Sequence, residues 1–177
     1  DLPGEIIGLV PTPKWKEQMY NTPWVGGDTV NTSIGQGYLL VTPIQMANMF
    51  AMIANKGVVY KPHIVKEIRD PISGELIEKI EPEELRRSNI RKETLDTVAA
   101  YMRGVITDGT AKVALTTKAV DVAGKTGTGE VGREDSWTAW FGAYGPYNAD
   151  NPEDQVVVVT MVEASDNWEW WAIRAAN

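Results

Sequence analysis

The stretch AGKTGTGE, Ala123–Glu130, decides the fold class, because a phosphate-binding loop and a strand at this position imply different architectures. A phosphate-binding P-loop has the pattern G-x-x-x-x-G-K-[ST] and continues directly into a helix. Gly124-Lys125-Thr126 matches the end of this pattern, but Ala119 stands where the first glycine is required. Further glycines follow at once, and glycine disfavours a helix interior. We therefore reject a nucleotide-binding loop and predict a strand.

A strand at this position has an edge that can bind an extended substrate. The Lys125 ammonium is a positive point charge for a carboxylate, and the Thr126 and Thr128 hydroxyls can add hydrogen bonds. Gly127 has no side chain, so a peptide can approach the backbone and pair with it, and backbone N–H groups there can stabilise an oxyanion. Strand alternation places Lys125 and Gly127 on one face and both threonines on the other. The alternative is a glycine-broken turn between strands.

The whole chain limits the possible functions. It has 177 residues, 43% of them hydrophobic, which suits one globular domain or a large part of one. The formal net charge of -7 argues against a duplex nucleic acid as partner, because phosphate contacts need clustered lysine and arginine. The absence of cysteine excludes a cysteine-based metal site, a disulfide and a cysteine nucleophile. The sequence shows neither a bilayer-spanning apolar run nor a signal peptide, and we interpret both ends as cut.

Helices are predicted before and after a hairpin. Residues 1–41 are rich in Pro, Gly, Thr and Asn, and we predict loops with one short helix. A capping box at Thr42–Gln45 begins a helix that is apolar nearly all round and is therefore predicted to be buried. Gly57 is predicted to end this helix in a left-handed cap. A second helix is predicted over 91–107 from its apolar face.

The strands complete the predicted architecture. VVYKPHIVKEIRD and GELIEKIEP are predicted as two strands joined by a turn at 70–74. Three further strand candidates follow: VDVAGKTGTGEV, SWTAWFGAYG and QVVVVTMVE. Short connections favour antiparallel neighbours, so we predict an α+β fold, an antiparallel β-sheet flanked by helices.

Four motifs occur in a particular order: SIGQGYLLVTPIQMANMFAMIANKG (Ser33–Gly57), DGTA (Asp108–Ala111), AGKTGT (Ala123–Thr128) and SWTAWFGAYGP (Ser136–Pro146). In this order they resemble the transpeptidase domain of class B penicillin-binding proteins, closest to the cell-elongation type, penicillin-binding protein 2. The opening DLPGEIIGLVPTPKW is also similar to this family, so the resemblance covers almost the whole chain. IGQGYLLVTPIQMA is the most specific part, because β-lactamases and penicillin sensors share K-T-G more readily.

The resemblance implies a serine-type D,D-transpeptidase that cross-links peptidoglycan and binds β-lactams. In this family a serine in S-x-x-K attacks a D-alanyl-D-alanine stem peptide, and an amine of a second stem takes the acyl group. By position, Lys125 would bind the substrate or penicillin carboxylate and tune proton transfers. The Thr126 and Thr128 hydroxyls would hold that carboxylate, Gly127 would admit the substrate, and the Thr128 N–H would be half of the oxyanion hole. The prediction includes no cofactor and no metal.

The chain departs from the family in one respect, because none of its serines is followed by lysine three residues on. We therefore predict that residues 1–177 are the latter part of a transpeptidase domain, lacking the S-x-x-K helix and the S-x-N loop. The nucleophile, the general-base lysine and one oxyanion donor would lie outside it, and this chain alone is predicted to be inactive. Ser165-Asp166-Asn167 spells S-D-N but follows K-T-G, so we interpret it as a strand-to-helix turn that supplies an N-cap.

Polar residues outside K-T-G have simpler interpretations. His63, the one histidine, lies in a strand-like stretch beside a proline and is interpreted as structural. Glu130, Glu134 and Asp135 could form a carboxylate pair for glycoside hydrolysis, but a solvated loop is favoured.

The tryptophans leave one question open. Trp168, Trp170 and Trp171 could stack on sugars, but their spacing to the following arginine favours a helix that packs on the sheet. Trp137 and Trp140, in the strand after K-T-G, fit either a cleft or the core.

The resemblance also implies a location and partners for the parent protein. It places the enzyme on the periplasmic side of the inner membrane, anchored by an N-terminal segment absent from this chain. Stem peptides, β-lactams and proteins of the cell-elongation machinery are the implied partners. The alternatives are a penicillin sensor or serine β-lactamase-like domain, against which Ser33–Ala47 weighs, and a non-enzymatic binding module of the same fold. An S-x-x-K motif upstream of Asp1 would support the enzyme.

Overall fold

The computed structural model describes residues 2–116, 119–132, 135–165 and 170–177. The helices are α1 Pro13–Tyr20, α2 Gly26–Ser33, α3 Pro43–Ala54, α4 Lys92–Thr107 and α5 Trp171–Ala176, with a 3-10 turn at Pro152–Asp154. The strands are β1 Val58–Tyr60, β2 Glu67–Arg69, β3 Leu76–Lys79, β4 Glu84–Arg87, β5 Ala123–Glu130, β6 Trp137–Gly145 and β7 Val156–Ala164.

The central sheet has the order β5-β6-β7, and both pairings are antiparallel. The three strand candidates near the end of the chain are therefore confirmed, and so is the α+β class. Strands that follow one another along the chain are neighbours in the sheet, as their short connections require. β6 is the central strand of this sheet, and β5, which contains AGKTGTGE, is one of its edge strands.

Helices cover both faces of this sheet. Ala139, Phe141 and Ala143 of β6 face a core formed with α5 and with the segment that follows α4. On the other face, Tyr144 packs with Phe50 of α3 and Met102 of α4, and with further apolar side chains of α3 and β7. The predicted arrangement, an antiparallel sheet flanked by helices, is confirmed.

The ends of α3 follow the prediction. Thr42 Oγ1 accepts a hydrogen bond from the Gln45 N–H, and Gln45 Oε1 accepts one from the Thr42 N–H, which completes the capping box. Lys56 and Gly57 both have positive φ, and the Gly57 N–H donates to the Met52 carbonyl. A left-handed cap therefore ends the helix as predicted, but Lys56 rather than Gly57 is the residue that directly follows the C-cap Asn55.

The prediction that α3 is buried all round is wrong. Phe50 is 3% exposed, but Ile44 and Met49 keep 45% and 40% of their surface exposed. An apolar pattern produces burial only where another element covers it. In the part of the chain that the structure describes, the sheet and α4 cover one side of α3, which is the side that carries Phe50.

The region between α3 and α4 has more strands than predicted. The turn at 70–74 is confirmed, since β2 and β3 form a hairpin and Asp70 Oδ1 accepts hydrogen bonds from the backbone inside the turn. The predicted strand VVYKPHIVKEIRD is divided into β1 and β2, because Pro62 lies between them and lacks an N–H group. β4, which pairs with β1, was not predicted because its sequence ELRR is mostly charged.

The opening segment contains two short helices rather than the one predicted, and an ion pair joins them. The Lys16 Nζ of α1 lies 2.6 Å from the Asp28 Oδ2 of α2, and the two side chains are 10% and 12% exposed. Asp28 Oδ2 also accepts a hydrogen bond from the Val25 N–H at the start of α2. The hydrogen bond from Lys16, followed by that from Val25, lowers the pKa of Asp28 below its usual 3.8.

The predicted second and last helices are both present. α4 matches the prediction over 91–107 to within a residue, and Leu95 and Met102 are its buried side chains. α5 packs on the sheet through Ala172 and Ile173, both fully buried, and Thr160 of β7 donates a hydrogen bond to the Ala172 carbonyl. The helix therefore packs on the sheet as interpreted, but the contact is made by Ala172 and Ile173 rather than by Trp171.

Candidate functional site

The AGKTGTGE segment forms a strand at the side of the sheet, and among the described residues it pairs only with β6. Lys125 lies opposite Gly142, and Thr126 lies opposite Phe141, so the two side chains occupy opposite faces. Lys125 and Gly127 are exposed, whereas Thr126 and Thr128 are half-buried. The predicted strand and its alternation are therefore confirmed, and the alternative of a glycine-broken turn is excluded.

The backbone of β5 directs the carbonyl groups of Thr126 and Thr128 away from β6. The Thr126 carbonyl accepts a hydrogen bond from Lys125 Nζ at 2.5 Å. The Thr128 carbonyl accepts one from Gln36 Nε2 at 2.9 Å. Gln36 lies outside the sheet, so the Thr128 carbonyl faces the outer edge of β5, and the Thr126 carbonyl, two residues earlier in the strand, faces the same way.

The N–H groups of the same residues share this direction. On the inner side of β5, the Gly129 carbonyl accepts a hydrogen bond from the Thr138 hydroxyl of β6 at 3.3 Å. In an antiparallel strand the N–H and C=O groups of one residue point to the same side, and successive residues alternate. The N–H groups of Thr126 and Thr128 therefore also face the outer edge, where an extended ligand can pair with them.

Gln36 reaches the strand because α2 ends in a Schellman motif. The Gly35 N–H donates to the Thr32 carbonyl at 3.1 Å, and the Gln36 N–H donates to the Asn31 carbonyl at 2.8 Å. Gly35 and Gly37 have φ values of 79° and 74°, which L side chains rarely adopt. The IGQG sequence therefore forms a tight turn that holds Gln36 between two left-handed glycines.

A second motif approaches the strand from its threonine face. Thr110, in the DGTA sequence just after α4, places its hydroxyl 3.0 Å from the Thr126 hydroxyl. The turn is tight at Gly109, where a Cβ would lie 2.8 Å from the Val105 Cα. Thr110 and Gln36 were not predicted as site residues. The only sequence signal for them was their membership of the DGTA and IGQG motifs.

Trp140 lies beside the site rather than in the core. It is directly opposite Gly127 in the register of β5 and β6, on the same face, and it is half-buried. A Cβ at Gly127 would lie 3.7 Å from the Cβ of Trp140. Trp137 lies opposite Glu130 at the end of the strand. Trp140 therefore lies on the same face of the sheet as Lys125 and Gly127, whereas Trp137 lies at the far end of the strand.

The other polar candidates do not join the K-T-G strand. His63 is exposed between β1 and β2, and its Nδ1 lies 2.9 Å from the Val65 carbonyl oxygen, which fits a structural role. Glu130 ends β5 and is exposed, as is Asp135 in the following loop, whereas Glu134 lies outside the described residues. Exposure of the two described carboxylates agrees with a solvated loop.

The helix-capping interpretation of Ser165-Asp166-Asn167 is wrong for the serine. α5 begins at Trp171, and Trp170 is its N-cap residue, whereas a side-chain cap must immediately precede the first turn. Trp170 packs against the core between the sheet and α5, and Trp171 is 39% exposed. Asp166, Asn167 and Trp168 lie outside the described residues.

No helix in the described ranges combines the length and apolar character that a membrane crossing requires.

The sequence matches the penicillin-binding protein transpeptidase domain over residues 1–175. It is 34% identical over 177 aligned residues to the peptidoglycan D,D-transpeptidase MrdA of Haemophilus influenzae, an alignment that covers 89% of this chain and 26% of the relative. The chain therefore spans about a quarter of the length of that relative.

Two solved structures share the architecture. Pseudomonas aeruginosa PBP2 in complex with WCK 5153 is 35% identical with a TM-score of 0.71, covering 99% of this chain and 37% of the other. Helicobacter pylori penicillin-binding protein PBP2, solved in complex with MreC, is 28% identical with a TM-score of 0.70, covering 92% and 28%. The fold is thus that of a penicillin-binding transpeptidase domain. This chain belongs to the penicillin-binding protein transpeptidase family, and its relatives include proteins of the PBP2 and MrdA type.

Proposed function

We propose that this chain supplies the substrate-binding strand of a peptidoglycan D,D-transpeptidase that forms an acyl-serine intermediate and is acylated by β-lactams. The observation that carries the proposal is the outer edge of β5. There the exposed Lys125 lies next to two backbone N–H groups, those of Thr126 and Thr128, which face away from the sheet. A peptide that ends in a carboxylate can pair with such a strand and neutralise the ammonium.

Each residue of the strand has a role in this proposal. Lys125 binds the carboxylate of the substrate or the β-lactam and exchanges its present hydrogen bond to the Thr126 carbonyl for that charge-assisted one. The Thr128 N–H is one donor of the oxyanion hole, and Gly127 leaves room for the substrate backbone. The Thr126 and Thr128 hydroxyls lie on the opposite face from Lys125, so a substrate that runs along the edge can meet both sets.

The reaction that the strand would support is acyl transfer. A serine oxygen attacks the carbonyl carbon of the penultimate D-alanine, the bond to the terminal D-alanine breaks, and the leaving amine takes a proton. An amine of a second stem peptide then attacks the ester, forms the cross-linking amide and restores the serine hydroxyl. We place the serine, in S-x-x-K, on a segment outside these 177 residues, because no serine of this sequence has lysine three residues on.

The same proposal extends to the location and partners of the longer protein. We place it on the periplasmic side of the inner membrane, held by an N-terminal anchor and working with proteins of cell elongation. Support comes from the relative of PBP2 type that was solved in complex with MreC.

Intact-mass measurement after incubation with a β-lactam tests this function. The full-length protein should gain the mass of one β-lactam, whereas the 177-residue chain alone should gain none. If the full-length protein gains no mass, the acyl-serine mechanism is rejected. A stoichiometric adduct on the isolated chain would place the nucleophile within these residues and reject the assignment to an outside segment.

A further inference from the structure

We infer that Gln36 is a positioning residue for acyl transfer, because its side chain holds the backbone of Thr128 in place. This inference rests on the proposed function of the strand. The Gln36 Nε2 donates to the Thr128 carbonyl at 2.9 Å across a sequence separation of 92 residues. The glutamine is half-buried, so the bond is partly shielded from water.

The local sequence of β5 explains why Thr128 needs to be held. Thr128 lies between Gly127 and Gly129, and glycine allows the backbone more freedom than any other residue. The strand is also at the side of the described sheet, so the outward groups of Thr128 have no neighbouring strand to fix them. The hydrogen bond from Gln36, which lies outside the sheet, therefore restrains Thr128, whose N–H is the proposed oxyanion donor.

Gln36 is itself anchored at the end of α2. Its own N–H donates to the Asn31 carbonyl and the Gly35 N–H donates to the Thr32 carbonyl, which are the two hydrogen bonds of the Schellman motif. The helix end thereby fixes the Cα of Gln36, and only the side chain spans the gap to β5. The position of the strand edge is thus tied to the C-terminus of α2.

The contact acts on the carbonyl of Thr128 and leaves its N–H free to face a ligand. An oxyanion donor works only if it lies about 2.7–3.1 Å from the developing oxyanion. Loss of the Gln36 bond should therefore slow the chemical step more than it weakens initial binding, which the charge of Lys125 dominates. Removing an oxyanion donor costs about 10²–10³ in rate. We expect loss of its support to cost at least about tenfold.

Two variants of the full-length protein test the inference. Gln36→Met removes the donor at nearly constant length, and Gln36→Glu replaces it with a group that repels the carbonyl. Gln155→Met is the matched control, because the Gln155 Nε2 donates to the Pro146 carbonyl at 2.9 Å and the residue is also half-buried. The kinetics of β-lactam acylation give the initial dissociation constant and the maximal acylation rate separately.

A spectroscopic measurement reports the contact directly. The protein is labelled with ¹³C at threonine carbonyls and with ¹⁵N at glycine, and the spectrum selects carbonyls that are bonded directly to ¹⁵N. The signals of this chain then come from its two Thr-Gly pairs, Thr126-Gly127 and Thr128-Gly129. In both Gln36 variants the Thr128 carbonyl signal should move while that of Thr126 moves less. The control should move neither.

The expected result is a maximal acylation rate at least about tenfold lower in both Gln36 variants, a dissociation constant changed less than threefold, and a control that acylates like the parent. An unmoved Thr128 signal overturns the inference, and so does an acylation rate within threefold of the parent. If the unmodified protein is not acylated at all, the proposed function has failed, which is a different outcome.

Discussion

At the scale of single residues, Lys125 is the position where the proposed function depends on one charge. Its side chain is exposed and lies within reach of the outer edge of β5. A hydrogen bond to a charged group contributes about 1.5–3 kcal/mol, and 1.4 kcal/mol corresponds to one decade in rate. Lys125→Ala in the full-length protein should therefore slow β-lactam acylation at least about tenfold.

Stability should hardly change in this variant, since truncation of an exposed lysine leaves no cavity. Arginine should restore only part of the rate, because its planar fork does not reproduce a compact ammonium. The second-order acylation rate is measured beside a thermal melt, with Lys14→Ala, at an exposed position of α1, as the control. An unchanged rate, or a loss that follows unfolding, would remove Lys125 from the site.

At the scale of elements, α3 can pack against β6 because Gly142 of β6 has no side chain. A Cβ at Gly142 would lie 2.2 Å from the ring of Phe50, the buried anchor of α3. Overpacking of a core costs about 1–3 kcal/mol, so Gly142→Ala should lower the free energy of unfolding by about that amount. Denaturant unfolding measures it.

Gly127→Ala is the matched control for this prediction, because the added Cβ would meet its neighbour at an ordinary 3.7 Å. It should leave the free energy of unfolding nearly unchanged. Equal losses for the two alanine variants would show that strand glycines, rather than the Phe50 contact, determine the effect.

The connection between α1 and α2 predicts a dependence of stability on pH. The folded pKa of Asp28 lies below 3.8 because Lys16 and the Val25 N–H stabilise its carboxylate. A depressed pKa contributes stability above the unfolded value, and this stability is lost as the pH falls through the folded value. The parent should therefore lose stability below pH 3.8 more steeply than Asp28→Asn, which should be less stable than the parent at neutral pH.

Unfolding free energies between pH 2 and pH 7 provide the measurement. Asp150→Asn, at an exposed position before β7, serves as the control and should follow the parent. Parallel pH profiles for the parent and Asp28→Asn would contradict the assigned role of the ion pair.

At the scale of the whole molecule, the order of strands separates Ser165 from the K-T-G strand. Ser165 directly follows β7, and β6 lies between β7 and β5. Two strand spacings amount to about 10 Å. Ser165→Ala in the full-length protein should leave the acylation rate within a few-fold of the parent. A loss of about a hundredfold, typical for a catalytic group, would show that this serine takes part in the chemistry.

Elements that are specified by residues close together in the sequence were predicted, whereas features that depend on contacts between distant segments were not. Local signals, such as the capping box at Thr42 and the apolar runs of β6 and β7, predicted their elements correctly. β4 was missed because a charged strand has no apolar pattern. The burial of α3 was overestimated because a residue pattern does not say which neighbour covers it.

The site shows the same limit. Alternation along β5 predicted the two faces of the strand, since it depends on local geometry alone. The contacts of Gln36 and Thr110 join residues 92 and 16 positions apart, and no local pattern specifies such pairs. Only the assembled fold shows that the IGQG and DGTA motifs meet at K-T-G.

The engaged carbonyls of β5 also affect how the chain meets copies of itself. In addition to the bonds at Thr126 and Thr128, Arg103 Nη1 donates to the Val122 carbonyl at 2.8 Å, just before the strand begins. Unpaired strand edges promote aggregation, because one chain can add its edge to another. A copy of β5 would bring N–H groups to these three carbonyls, which already accept hydrogen bonds, whereas a carbonyl of a ligand can accept from the outward N–H groups of Thr126 and Thr128. These hydrogen bonds therefore make pairing with a second copy of β5 less favourable, and they leave the outward N–H groups of Thr126 and Thr128 for a ligand.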